Sequence, residues 1–226
     1  MPVPVSDLSD SRAATNALLG ALKRDHWGSR AVVRFLGQAA DRSARQAARR
    51  PRALVQITTL HCLLLALALA RQQRPGPRWV AASWTLSVLH LGLLEERDRL
   101  SPADALTLLR GNLPATVLGA SHWSGGLAIA LDLADGRLAR HQRTVSPFGD
   151  YADSVADAAF WTWLVLRHEP SRTVRAAAIA AWAVPVATVT AISVRRGTMP
   201  ERPRPALLRP AAAMQGIVAL RHFLRR

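Results

Sequence analysis

Residues 53–70, ALVQITTLHCLLLALALA, run 18 positions without a charged side chain, about the shortest stretch that crosses a bilayer core as a helix. A second uncharged run, WVAASWTLSVLHLGLL over 79–94, follows RQQRPGPR, where Pro75, Gly76 and Pro77 mark a turn. A third, AAAIAAWAVPVATVTAISV, covers 176–194. Runs of this kind have no polar face to turn to water, so their backbone must satisfy itself as helix inside lipid or protein. Interrupted apolar stretches at 105–121, 127–138 and 151–166 bring the expected spans to six, and 206–224, broken by Arg209 and Arg221, is a marginal seventh. The expected fold is an all-α, polytopic membrane bundle of six to seven transmembrane helices.

Arginine placement orients that bundle. With residues 1–52 on the cytoplasmic side and every segment crossing, 20 of the 30 basic residues fall in cytoplasmic segments and 9 outside, Arg110 lying within a span. Positive charge gathers on the cytoplasmic side of membrane proteins. Trp79 and Trp123 then reach the outer interface, where amphipathic rings are favoured. Ahead of the first span, Arg30, Arg34, Arg42, Arg45 and Arg49 recur at helical spacing among Val32, Phe35, Leu36 and Ala39. That pattern describes a basic amphipathic helix on an anionic leaflet. Three parts follow: a basic cytoplasmic segment, 1–52; a transmembrane hairpin, 53–101; and a core, 102–226.

A net charge of +15 and a pI near 11.8 point first towards nucleic acid. Half the residues are hydrophobic, however, and only Lys23 among the basic residues is lysine. The arginine-rich helix also has a single aromatic side chain, Phe35, rather than the series on which bases stack. Nucleic acid is not the expected partner. Cys62, the single cysteine, lies inside an apolar run, which excludes an intramolecular disulfide and a cysteine-based zinc site. The opening residues MPVPVSDLSD have no apolar stretch, so no cleavable signal is expected and insertion relies on internal segments.

Chemistry concentrates in 132–157, DLADGRLARHQRTVSPFGDYADSVAD. Asp132 and Asp135 are three apart and Asp153 and Asp157 four apart, so each pair shares one face of a helix. Carboxylates beside apolar spans are costly and normally serve a function. Together the four repel one another unless cations neutralise them, and two divalent ions would balance the charge. Oxygen-only ligands select hard cations, Mg²⁺ or Mn²⁺, over Zn²⁺. Gly136 and Gly149 leave room for a ligand to approach the backbone. Arg137, Arg140 and Arg143 offer forked donors for phosphate, while His141 reads as a loop residue off both carboxylate faces. A phosphate-handling site at the cytoplasmic end of the bundle is expected.

The pattern D-x-x-D-G-x-x-A-R, eight residues, G-x-x-x-D-x-x-x-D resembles the signature of the CDP-alcohol phosphatidyltransferase family. Asp132, Asp135, Gly136, Ala139, Arg140, Gly149, Asp153 and Asp157 match it without a gap, an event rarer than about 10⁻⁸ by chance at average composition. Upstream, PADALTLLRGNLP is similar to the family's first core helix, with Thr107 and Arg110 matching and Asp104 standing where Asn is usual. Arg110 also admits a plainer reading, a side chain snorkelling to the inner interface.

The resemblance, covering roughly 102–224, implies a membrane phosphotransferase of phospholipid biosynthesis in the plasma membrane, its site facing the cytoplasm. A CDP-linked lipid such as CDP-diacylglycerol would place its diphosphate against two divalent ions. By the family pattern Asp132 and Asp153 bridge both ions, Asp135 completes one and Asp157 the other, and Asp157 takes the acceptor's proton. Gly136, Arg140 and Ser146 would contact the CDP part, with Asp104 to Thr107 lining it, and Ala139, Gly149 and Arg110 belong to the same substrate site. The acceptor is a small alcohol or alcohol phosphate, for which Arg195 and Arg196, with Arg202 and Arg204, are candidate phosphate ligands. Ala158 and Ala159 lack the basic residue that often follows the last aspartate in glycerol-phosphate enzymes, which favours another acceptor. A homodimer is the candidate assembly. The competing classes are an inactive lipid-binding scaffold and a cation-binding transporter, and CMP release separates the enzyme from both.

Overall fold

Prolines and small polar caps decide where the helices of this chain begin. In the computed structural model, which describes residues 8–70, 76–199 and 209–225, helix α5 (Pro102–Gly111) starts behind Ser101. The Ser101 side chain accepts from the Asp104 N–H while Asp104 accepts from the Ser101 N–H, a reciprocal capping box with proline at the first helical position. Helix α7 (Pro147–His168) repeats the device, with Ser146 accepting from the Gly149 N–H. Helix α8 (Arg172–Arg196) starts on Ser171 and stops at Gly197, whose φ of 70° is the left-handed conformation glycine adopts without strain.

Before these come α1 (Ser11–Arg24), α2 (Ser29–Ala48), α3 (Pro51–Ala70) and α4 (Gly76–Leu89); α6 (Ser124–His141) lies between α5 and α7, and α9 (Arg209–Leu224) closes the chain. All regular structure among the described residues is helical. Helix α2 is the expected basic amphipathic helix, and its apolar Val32, Val33 and Leu36 are exposed, Val33 by 69%. Helix α1 carries no signal strong enough to anticipate.

Two expected spans take other forms. The 105–121 stretch holds only the ten residues of α5 before a 3₁₀ turn, Leu113–Ala115. Ten residues rise about 15 Å, half a bilayer core. Asn112 stops the helix by turning its amide to the Leu108 carbonyl and to Ser83 Oγ, each at 2.8 Å, and Pro114 prevents it from resuming. The 79–94 run splits into α4 and a 3₁₀ turn, Leu91–Leu94. Among the described residues α3 and α8 are, by length and composition, the two helices apolar enough to cross a membrane unaided.

The two larger clusters of the core, among the described residues, meet at α7. Phe160, Trp161, Leu164 and Val165 of α7 pack with Ala128 of α6 and Val218 and Ala219 of α9. Ile57 of α3, Leu91, Leu94, Leu108 of α5 and Phe148 of α7 form the other. Helix ends collect at opposite poles. At one pole the Ala53 N–H donates to the Asp98 carbonyl, Arg97 reaches Ser146, and Lys23 reaches the Arg196 carbonyl. At the other, Glu169 holds Arg221 and Arg225, and His222 meets the Ser121 carbonyl. Consecutive long helices therefore alternate in direction, and the motif aspartates fall between the poles.

Candidate active site

Asp132 and Asp135 project from α6 and Asp153 and Asp157 from α7, as their spacings require. What joins the two pairs is Arg110, near the end of α5, buried to 1% exposure. Its guanidinium pairs with Asp153 and Asp157, lies 3.3 Å from Asp132 Oδ1, and stands 3.7 Å from Asp135 Oδ2. Arg110 therefore belongs to the cluster and does not snorkel to an interface. A fork of donors can serve several carboxylates at once, which a lysine could not match.

Smaller contacts orient the acids. The Thr107 hydroxyl donates to Asp135 Oδ2 at 2.7 Å, and the Gln215 amide, from α9, donates to Asp157 Oδ2 at 2.9 Å. Oxygens of Asp132, Asp135 and Asp153 come within 4.8 Å of one another. These all-oxygen donors fit a hard divalent cation. Four carboxylates facing one guanidinium also leave three negative charges uncompensated, so the cluster has the charge to hold further cations.

Two cavities meet at the aspartates. The first, about 360 Å³, is polar and lies among α5, α6 and α7. Asp104, Thr107, Asp132, Asp135, Gly136, Ala139, Arg140, Ser146, Gly149 and Asp153 line it. These ten, of fifteen lining residues, are those expected at the site from the sequence. The second, about 310 Å³, opens from Asp132, Asp153 and Asp157 into walls of Trp161, Val165, Trp182, Pro185, Met214 and Val218 on α7, α8 and α9. Asp157 lines this cavity but not the polar one.

Glycine at 149 has a local cause, since a Cβ there would stand 3.3 Å from Asp104 Oδ1. Arg137 and Arg143 are exposed and line neither cavity, and His141 is the exposed last residue of α6 rather than a loop residue. Arg195 and Arg196 end α8, exposed and away from both cavities; Arg202 and Arg204 lie outside the described residues. Sequence reasoning missed Gln215 and Arg97. Arg97, in the connection before α5, places Nη2 2.5 Å from Ser146 Oγ and 3.1 Å from Asp104 Oδ2. Neither residue stands near the motif in sequence, and the only available signal was a polar side chain beside an apolar segment. A family model described as CDP-alcohol phosphatidyltransferase matches residues 103–224. No curated protein and no solved structure matches the chain.

Proposed function

The chain belongs to the CDP-alcohol phosphatidyltransferase family, and from that premise we propose that it transfers a phosphatidyl group from CDP-diacylglycerol to an alcohol, releasing CMP. The observation that carries the reading is the convergence of the four motif aspartates where a polar and an apolar cavity meet. In-line displacement at phosphorus needs attacking and leaving oxygens on opposite sides. The polar cavity, with Arg140 and two helix N-termini on its wall, suits the CDP leaving group. The other cavity suits the acceptor, because Asp157 lines it.

On this reading the acceptor hydroxyl forms a bond to the β-phosphorus while the bond from that phosphorus to the CMP oxygen breaks. Asp157 takes the hydroxyl proton. Its contacts with Arg110 and Gln215 still leave lone pairs, since a carboxylate accepts at about four sites. Asp132, Asp135, Asp153 and Asp157 would hold two divalent cations, Mg²⁺ or Mn²⁺, which supply charge stabilisation to the phosphoryl and leaving oxygens. Gly136, Ala139 and Gly149 leave space for the nucleotide, and Arg110 holds the aspartate pairs in register. Among the described residues no cation lines the acceptor cavity, which favours an alcohol without its own phosphate and disfavours Arg195 and Arg196 as acceptor ligands.

The protein sits, in this proposal, as a multi-pass plasma-membrane bundle with the polar pole in the cytoplasm. The hairpin 53–101 and core 102–226 are embedded and α2 lies on the leaflet. Exposed Val55, Leu63, Leu69, Leu166, Val184, Val186 and Leu220 on long helices support it. Purified protein incubated with CDP-diacylglycerol and a panel of alcohols should release CMP with at least one acceptor. EDTA should abolish release and Mg²⁺ or Mn²⁺ restore it. Lipid binding without CMP release from any acceptor would instead support the scaffold reading, and full turnover in metal-free buffer would remove the two-cation site.

A further inference from the structure

Asp104 is an awkward residue for a cavity meant to receive a diphosphate. It is buried to 3% exposure on the polar cavity's wall, and a carboxylate there repels an incoming anion. Its Oδ2 is tied down by the Ser101 N–H and hydroxyl, both at 2.8 Å, so it cannot swing away without opening the α5 cap. The compensating charge comes from Arg97, which precedes the family-matched residues 103–224. One nitrogen, Nη2, serves both helix starts that border the cavity. It lies 3.1 Å from Asp104 Oδ2, at the start of α5, and donates to Ser146 Oγ at 2.5 Å, the cap of α7. The remaining Nε and Nη1 are buried without a hydrogen-bond partner among the described residues. An arrangement that leaves two nitrogens, and so three N–H groups, unpaired is not optimised for the guanidinium itself. It keeps a positive charge, with donor capacity to spare, against Asp104 and Ser146.

We propose that Arg97 is a positioning residue for the nucleotide-lipid donor: it cancels the Asp104 charge and fixes Ser146 on the wall of the polar cavity. The inference rests on the donor occupying that cavity. It also gives the N-terminal hairpin a function, because the connection leaving that hairpin delivers the guanidinium to the core. Removing Arg97 leaves a buried carboxylate unpaired in the donor's path, a defect that falls on donor binding. Removing the Asp104 charge as well should cure it.

The test is a charge cycle on the full-length protein in detergent. Arg97→Gln should raise the KM for CDP-diacylglycerol about thirtyfold, the scale for stripping a buried charge of its partner. Its kcat and acceptor KM should stay within about threefold, since the aspartate cluster is untouched. Arg97→Gln with Asp104→Asn should bring the donor KM back to within about threefold of the native value. Arg97→Lys, which keeps the charge and loses the fork, should fall between the native protein and Arg97→Gln. An unchanged donor KM in Arg97→Gln overturns the proposal, and so does a double variant as impaired as the single, which would make Arg97 purely structural. Equilibrium binding of CDP to the same proteins separates this idea from the activity reading. Weakened CDP binding in Arg97→Gln, restored in the double variant, upholds the role of Arg97 even if no alcohol yields CMP.

Discussion

Arg110 and Asp157 show what single residues contribute and how far each could be read ahead of the fold. The aspartates and glycines were legible because their spacing is local and helical. Arg110 was ambiguous because an arginine in an apolar run is satisfied either by an interface or by buried acids. Contact with residues 22 to 47 positions away leaves no trace in a single sequence. Gln215 is further still, 58 residues from Asp157. Asp157→Asn keeps the side chain's size and one carbonyl oxygen but removes the group proposed to act as the base. A general base contributes about 10²–10⁴-fold, so CMP release should fall by at least that range while CDP binding, on the other cavity, persists. Near-normal turnover with the ions still bound would show that another group takes the proton. His141→Ala, at the exposed end of α6, should change turnover less than about threefold; a collapse comparable to Asp157→Asn would mean the site had been misassigned.

Among the elements, α9 is the helix that the sequence left most open, and the structure gives it two attachments. Long uncharged runs announced α3 and α8 plainly, whereas the arginines of 206–224 obscured α9 and the Asn112–Pro114 break cut short the span expected at 105–121. Near its middle α9 crosses α6 so closely that a Cβ on Gly125 would stand 2.9 Å from Ala219 Cα. Gly125→Ala must push the helices apart, at a cost of about 1–3 kcal/mol for overpacking. Gly126→Ala, with nothing within 4 Å of its added Cβ, should be neutral or slightly stabilising. Thermal unfolding of both in one detergent is the comparison, and equal melting temperatures would refute the tight crossing. At its end α9 is held by Glu169, which accepts from Arg221 at 2.9 and 3.1 Å and from Arg225 at 3.0 Å. The Arg221 hydrogen bonds, with Arg225 and the Ser171 N–H, pull the Glu169 carboxyl from 4.5 down to about 2. Because the folded value is the lower one, this tie contributes fully above pH 4.5 and is lost as pH falls through about 2. Melting temperature should therefore decline over that window in the native protein. The decline should be smaller in Glu169→Gln, and identical acid profiles would show that the tie contributes nothing.

For the molecule as a whole, the decisive quantity is which pole faces the cytoplasm, since a nucleotide head group does not cross a bilayer core unaided. Arginine placement argues for the pole that carries α2, the start of α5 and the α6–α7 connection, since 20 of the 30 basic residues fall in the sequence segments expected on the cytoplasmic side. The direction of the helices agrees. The chain reaches that pole at the ends of α4, α6 and α8 and the opposite one at the end of α7, where Glu169 gathers Arg221 and Arg225. Among the described residues α3 and α8 are individually apolar enough to cross, whereas α5, α6 and α7 carry Arg110 and the four aspartates and, in the proposed bundle, would be embedded only together. Charge placement thus gives an expected topology, whereas the outline of each span depends on contacts that a single sequence does not display. In a Cys62→Ser background, Gln142→Cys, exposed between α6 and α7, should react with an impermeant maleimide only after the cells are permeabilised. Pro170→Cys, exposed between α7 and α8, should react from outside in intact cells. Labelling in the opposite sense, with a cytosolic control protected, would invert the bundle and separate the polar cavity from any cytoplasmic CDP-lipid. Labelling of both positions from one side would show that α7 does not cross. The aspartates would then lie at one membrane surface rather than between its two faces.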